Sequence, residues 1–150
     1  MFFSPIVLFY VLIILKYYDI FTCFLYNEKE KRDAMKKSEL LSPAGSYESA
    51  IAAIQNGCDA IYLGGMRFGA RAFANNFDDT MLTDIIKYAH SYGVKVYITV
   101  NTLIHEEELP AIYEYIDMLY KIHADALIIQ DLGVLHYVRS NYPDFEVHSS

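Results

Sequence analysis

An α/β fold is predicted, with parallel strands alternating with helices, forming the incomplete N-terminal half of a TIM-like (β/α)8 barrel. Three observations carry this. The stretch Asp59-Ala-Ile-Tyr-Leu-Gly-Gly65 places three apolar residues behind an Asp-Ala lead and ahead of glycines. The same pattern returns at Asp125-Ala-Leu-Ile-Ile-Gln-Asp131, and the apolar run Val94–Asn101 lies between them. Short apolar runs without alternation are strands covered on both faces, and each of these follows a segment with helical periodicity. Four strand–helix units and a fifth strand occupy about 115 residues, which projects to about 230 for eight, near the ~250 of a barrel. Strand order is not legible in a sequence, so a doubly wound sheet remains the alternative.

From residue 39 the elements follow in order. Glu39-Leu-Leu41 reads as a first strand and Ser42-Pro-Ala-Gly45 as the loop after it. Ser46 is a suitable N-cap for a helix that buries Tyr47, Ala50, Ile51 and Ile54, with Gly57 closing it. Ala60–Leu63 is the second strand. The segment from Gly64 to Phe77 is far longer than the usual 2–6 residue connection, a length common in functional loops. Asp78 or Asp79 caps the next helix, whose stripe is Met81, Leu82, Ile85, Ile86 and Ala89. After the Val94–Asn101 strand, Glu106–Glu108 and Pro110 mark a helix start, and Leu109, Ile112, Ile116 and Leu119 form its buried face. Ala126–Ile129 is the fourth strand. Leu132–Asn141 is a helix stopped by Tyr142-Pro143, and Phe145–His148 opens a fifth strand.

Residues 1–34 stand apart. Four basic and four acidic side chains balance there, so the net charge of −7 belongs to residues 35–150. The apolar run from Phe2 to Leu15 lacks a basic lead and a small-residue cleavage site, against a secretory signal. It is also shorter than the ~20 residues of a span unless Lys16 and Asp19 enter the membrane. Two expectations follow for this extension: a start at Met35 preceded by translated upstream sequence, or a membrane anchor through residues 2–26. Residues 35–150 form the barrel fragment, and the chain is expected to be a piece of a larger protein.

In a barrel the strand ends converge on one mouth. Catalytic roles are therefore expected at His148, Asp131 and Asn101, and substrate-binding roles at Gly64, Gly65, Arg67, Arg71, Asn75, Gln130 and Ser149. Paired guanidinium forks suit a phosphate or carboxylate, and glycines allow close backbone approach. The bland readings are surface ion pairs for the arginines and strand capping for the polar residues. His105-Glu-Glu-Glu-Leu109 lacks the second histidine of a zinc protease helix, so its acids read as a solvated helix start. There is no Gly-x-Ser-x-Gly elbow, and His90, His123 and His136 read as structural. Cys23 and Cys58 give neither a disulfide framework nor a metal spacing, Cys58 reads as a packed thiol, and no metal site is expected. An acidic pI near 5.1 makes the fragment a poor non-specific nucleic-acid binder.

Several blocks in order resemble the collagenase-like peptidase family, peptidase family U32. They are Glu39-Leu-Leu-Ser-Pro-Ala-Gly45, Gly57-Cys-Asp-Ala-Ile-Tyr-Leu-Gly64, Phe68-Gly-Ala-Arg-Ala-Phe-Ala-Asn-Asn-Phe77, Val100-Asn-Thr-Leu103, Asp125–Gly133 and Glu146–Ser150. The resemblance covers residues 39–150 and implies a bacterial, cytoplasmic, TIM-barrel-like enzyme. It implies tRNA or rRNA base hydroxylation with an iron–sulfur cluster, or alternatively proteolysis of a peptide substrate. The cysteine ligands of such a cluster are expected outside this chain, so the fragment alone is expected to be inactive. The non-enzymatic alternative is a truncated product or a membrane-tethered scaffold.

Overall fold

The computed structural model describes residues 38–70 and 77–150. The extension and residues 71–76 lie outside the described residues, so the readings of residues 1–34, of Arg71 and of Asn75 are not addressed by it. Residues 39–150 form one compact unit.

Among the described residues five strands make one wholly parallel sheet: β1 (Leu41–Pro43), β2 (Ala60–Gly64), β3 (Lys95–Val100), β4 (Ala126–Ile129) and β5 (Glu146–Ser149). The order is β1-β2-β3-β4-β5, each strand beside the next in sequence. A doubly wound sheet reverses direction at a switch point. This one never reverses, which is the winding of a barrel. The helices that connect the strands are α1 (Tyr47–Gln55), α2 (Asp79–Ser91), α3 (Leu109–Lys121) and α4 (Leu132–Asn141).

Alternation along each strand divides the sheet into two faces. Ile61, Leu63, Val96, Ile98, Val100, Leu127 and Ile129 meet the helices and are buried. The opposite face buries Ala60, Tyr97 and Ala126, flanked by half-buried Tyr62 and Ile128. The helix stripes match the periodicity, except that α3 adds Tyr115 to the buried set.

The repeated Asp-Ala pair has a physical cause. Asp59 donates its N–H to the Leu40 carbonyl at 3.0 Å, and its Oδ2 accepts the Leu40 N–H at 2.8 Å. Asp125 makes the same two bonds with Val96, at 3.0 and 2.7 Å, and its Oδ2 also lies 2.8 Å from His90 Nε2. Each aspartate thus clips the start of its strand to the previous one. Past α1, α2 and α3 the chain turns through left-handed residues, Gly57 (φ 84°), Gly93 (φ 71°) and His123 (φ 63°). His is among the side chains that tolerate this region.

The first strand is shifted from its expected span. Leu41–Pro43 pairs with Ala60–Tyr62, although Ser42-Pro43 reads as loop in the sequence. Leu40 and Ala44 carry the bonds to β2, so by alternation Pro43 turns its missing N–H toward the unpaired edge. Proline is tolerated in that position of an edge strand.

Asp125→Ala leaves the N–H of fully buried Val96 without its acceptor. A buried orphan of this kind costs about 1–3 kcal/mol. Urea denaturation should register that loss; an unchanged midpoint would mean the clip contributes nothing to stability.

Candidate functional site

A cleft of about 130 Å³ opens at the carboxyl ends of β1, β2 and β3. Pro43, Ala44 and Gly45 form one wall, Tyr62, Leu63, Gly64, Thr99 and Asn101 the floor, and Gly69, Ala70 and Phe77 the side supplied by the β2–α2 loop. The register explains the floor. Gly64 pairs with Thr99, Thr99 with Ile128, and Ile128 with His148, so these four lie in one row across the sheet. Asn101 follows Thr99 by two residues and extends the same face outward.

Hydrogen bonds tie the loop to the end of β3. Ala70 donates its N–H to Asn101 Oδ1 at 3.0 Å, and Thr102 Oγ1 donates to the Phe68 carbonyl at 3.2 Å. Thr99 Oγ1 donates to the Leu63 carbonyl at 3.3 Å. The loop closes at its base where Phe77 N–H meets the Gly64 carbonyl at 3.2 Å and Met66 N–H meets the Phe77 carbonyl at 3.0 Å. Phe68 holds a left-handed conformation (φ 59°), which costs a bulky residue about 1–2 kcal/mol and needs such bracing.

The residues singled out in the sequence fall into three groups. Gly64 and Asn101 line the cleft. Gln130, Asp131 and His148 lie at the same end of the sheet but outside the lining. Asp131 accepts from Gly133 and Val134 N–H through Oδ1 (2.8 and 3.0 Å) and from Ile104 N–H through Oδ2 (3.3 Å). It caps α4 and fixes the β3–α3 loop, and these bonds hold its carboxyl below the ordinary range. His148 turns to the inner face, 4.8 Å from the Tyr97 ring, with Nε2 3.1 Å from Glu146 Oε1. Gln130 is exposed.

Three others point elsewhere. Gly65 packs against the helix layer at Tyr115. Arg67 is held by Asp79 at 2.6 Å and lies over the Tyr115 ring at 4.8 Å, so its guanidinium is already partnered. Ser149 pairs with Ile129 and faces opposite to His148. The lining residues Tyr62, Thr99, Gly69, Ala70 and Phe77 were not expected. Tyr62 and Thr99 had a signal: counting back by two from Gly64 and Asn101 puts them on the same face.

Toward the amino ends of the strands the inner face carries a polar group. Tyr97 Oη donates to both carboxylate oxygens of Glu39, at 2.9 and 2.8 Å, and Lys95 Nζ lies 3.2 Å from the same carboxylate. The bond from Tyr97 lowers the Glu39 pKa, Lys95 reinforcing it. Burial, with the Glu39 carboxylate, pushes the Tyr97 phenol up to about 12. Tyr97 is therefore a neutral donor at physiological pH.

The described residues do not fit an iron–sulfur cluster. Cys58 stands alone in the helix-side core, burial raising its thiol above the usual range, and no group of three His, Cys, Asp or Glu suited to a metal occurs among them. Among the described residues, no helix is long and apolar enough to cross a membrane.

The profile of peptidase family U32 matches residues 45–150. The chain belongs to peptidase family U32. This U32 chain is 42% identical over 112 residues to the 23S rRNA 5-hydroxycytidine C2501 synthase of Escherichia coli K12, covering 75% of the chain and 16% of that protein. It is 34% identical over 120 residues to tRNA hydroxylation protein P1 of Bacillus subtilis, covering 80% and 28%. It is 40% identical over 114 residues to a collagenase of Porphyromonas gingivalis W83, covering 75% and 27%. The chain thus spans under a third of these relatives. Among solved structures, the U32 peptidase Mk0906 superposes with a TM-score of 0.61 at 16% identity, over 77% of this chain and 50% of that one. A type I 3-dehydroquinate dehydratase of Clostridium difficile gives 0.57 at 15%, over 81% and 54%. These two likenesses concern the fold.

Asp131→Ala should cost about 0.5–2 kcal/mol at pH 7, the usual value of an N-cap. A carboxyl with a depressed folded pKa stabilises above its unfolded value, ~3.9, and loses that contribution as pH falls through the folded one. The gap between wild type and variant, measured by urea denaturation, should narrow on going from pH 7 to pH 3. A constant gap would show that the charge of Asp131 plays no part.

Proposed function

We propose that residues 39–150 contribute the first half of the barrel of an RNA base-hydroxylation enzyme, and that the cleft between the ends of β1, β2 and β3 receives the base. The observation that carries this is the lining. Half-buried Tyr62 offers aromatic surface, Asn101 an amide and Thr99 a hydroxyl, and Gly45, Gly64 and Gly69 leave backbone accessible. Enzymes that modify a base, and proteins that read unpaired RNA, stack it on such rings and bond its edge. At about 130 Å³ the cleft is under half of the ~300 Å³ where ordinary ligand pockets begin. The RNA-hydroxylation names of the Escherichia coli and Bacillus subtilis relatives point the same way.

In this reading the cleft residues bind and orient. Asn101 is already oriented by Ala70, leaving its Nδ2 turned toward Ser150 at 3.4 Å and available to a carbonyl on the base. The oxidation chemistry, and any iron–sulfur cluster with its cysteine ligands, belong to the remainder of a full-length protein. So does the phosphate contact, because this part of the chain is acidic and Arg67 is occupied by Asp79. An RNA substrate places the enzyme in the cytoplasm. Proteolysis is the second reading, favoured by the 40% identity to the collagenase. Against it, neither His90, bonded to Asp125, nor His148, bonded to Glu146, has a hydroxyl or thiol as a second partner among the described residues, as a nucleophile's base would.

The test is a full-length protein carrying Asn101→Ala or Thr99→Val, expressed in a strain deleted for the gene. Nucleoside mass spectrometry of its rRNA and tRNA should show a hydroxylated base reduced about tenfold or more, the scale of a lost base-edge contact. Undiminished hydroxylation, or hydrolysis of gelatin by the purified wild type that these variants abolish, would overturn the proposal.

A further inference from the structure

Tyr115 is 1% exposed, and its hydroxyl is the buried side-chain polar atom that lacks a hydrogen-bond partner among the described residues. An orphaned buried hydroxyl is costly, and phenylalanine would avoid the cost. The surroundings show what the oxygen does in place of bonding. A methyl group built on Gly65 would overlap the Tyr115 hydroxyl, with Cζ at 3.1 Å and Leu82 Cδ1 at 3.4 Å. Gly65 has no positive φ, so its glycine is required by space alone. The loop beyond it stays on the same ring: Arg67 lies over the face at 4.8 Å, and the Phe68 ring is 5.8 Å away at 45°.

We infer that Tyr115, in the helix layer behind the sheet, is a positioning residue that sets the height of the β2–α2 loop and through it the shape of the cleft. Its oxygen fills the place of the absent Gly65 side chain and lets the backbone seat against α3. Gly65 bridges Phe77 at the base of the loop, and Phe68 leads into Gly69 and Ala70. Four cleft residues, Gly64, Gly69, Ala70 and Phe77, therefore inherit their positions from one tyrosine that never touches the cleft. Asn101 is drawn in as well, because the Ala70 N–H it accepts is placed by the same loop. The inference rests on the reading of the cleft as a base-binding site.

Hydrogen exchange on the 15N-labelled 150-residue chain tests it, with the amides of Met66 and Ala70 compared against sheet amides such as Val96 and Leu127. Tyr115→Phe should raise the thermal midpoint, since an orphaned hydroxyl is gone, while the two loop amides exchange several-fold faster. A residue serving stability alone would move both in the same direction. Gly65→Ala should speed the loop amides about tenfold or more through local opening. The double variant Gly65→Ala/Tyr115→Phe should return them to near the Tyr115→Phe rate. Loop exchange unaltered in Tyr115→Phe overturns the inference, and does so even where Gly65→Ala fails to fold. A double variant no better than Gly65→Ala overturns it too. Nucleoside mass spectrometry of the deleted strain separates the two ideas: a hydroxylated base reduced when the full-length protein carries Gly65→Ala supports both. The expected exchange pattern with hydroxylation undiminished in Asn101→Ala overturns base binding, and leaves the hold of Tyr115 on the loop standing.

Discussion

Asp59 and Asp125 each reach back to the residue that faces them on the preceding strand and bond both its N–H and its carbonyl. With those two clips the starts of β2 and β4 are fixed against β1 and β3. Side chains alternate with a period of two, so a slip of one residue would turn the helix-facing set, Ile61, Leu63, Leu127 and Ile129, to the wrong side. The burial of these residues and the aspartate clips demand the same register. Everything at the far ends of the strands follows from it, including the row Gly64, Thr99, Ile128 and His148.

Along the inner face this register sorts chemistry by height. Glu39, Lys95 and Tyr97 bind one another toward the amino ends, where burial and the Glu39 bond make Tyr97 a poor acid and the Tyr97 bond makes Glu39 a firm carboxylate. Barrels keep such groups for stability and place their active groups at the other end. The carboxyl end here has small, open floors and one long loop. That loop is braced from below by Tyr115, from the side by Thr102 and Asn101, and at its base by Phe77. Backbone and a few short polar groups build the cleft, which suits the binding role proposed for it.

The fold was legible because its signal is redundant. Apolar runs, N-caps at Ser46 and Asp78, and glycines after two helices all agree, and U32 membership accords with the motifs. What the sequence hides is where a polar side chain finds its partner. Arg67 reads as a free anion fork until Asp79, twelve residues on, is seen to take it. Asp131 reads as a catalytic acid because an aspartate after a strand and an aspartate before a helix are the same residue. Ser149 reads as a neighbour of His148, yet alternation puts it on the other face. Tyr115 reads as one of many tyrosines, and its role depends on a contact with Gly65 fifty residues earlier.

A common rim requires strands that pair only with their sequence neighbours, and nuclear Overhauser contacts in the 150-residue chain measure that directly. Backbone contacts should link Ile61 to Val96, Ile98 to Leu127 and Leu127 to Val147, following the register of the sheet. Contacts between β1 and β4, with none between β3 and β4, would mean a doubly wound order. The common rim, and the cleft built on it, would then be contradicted.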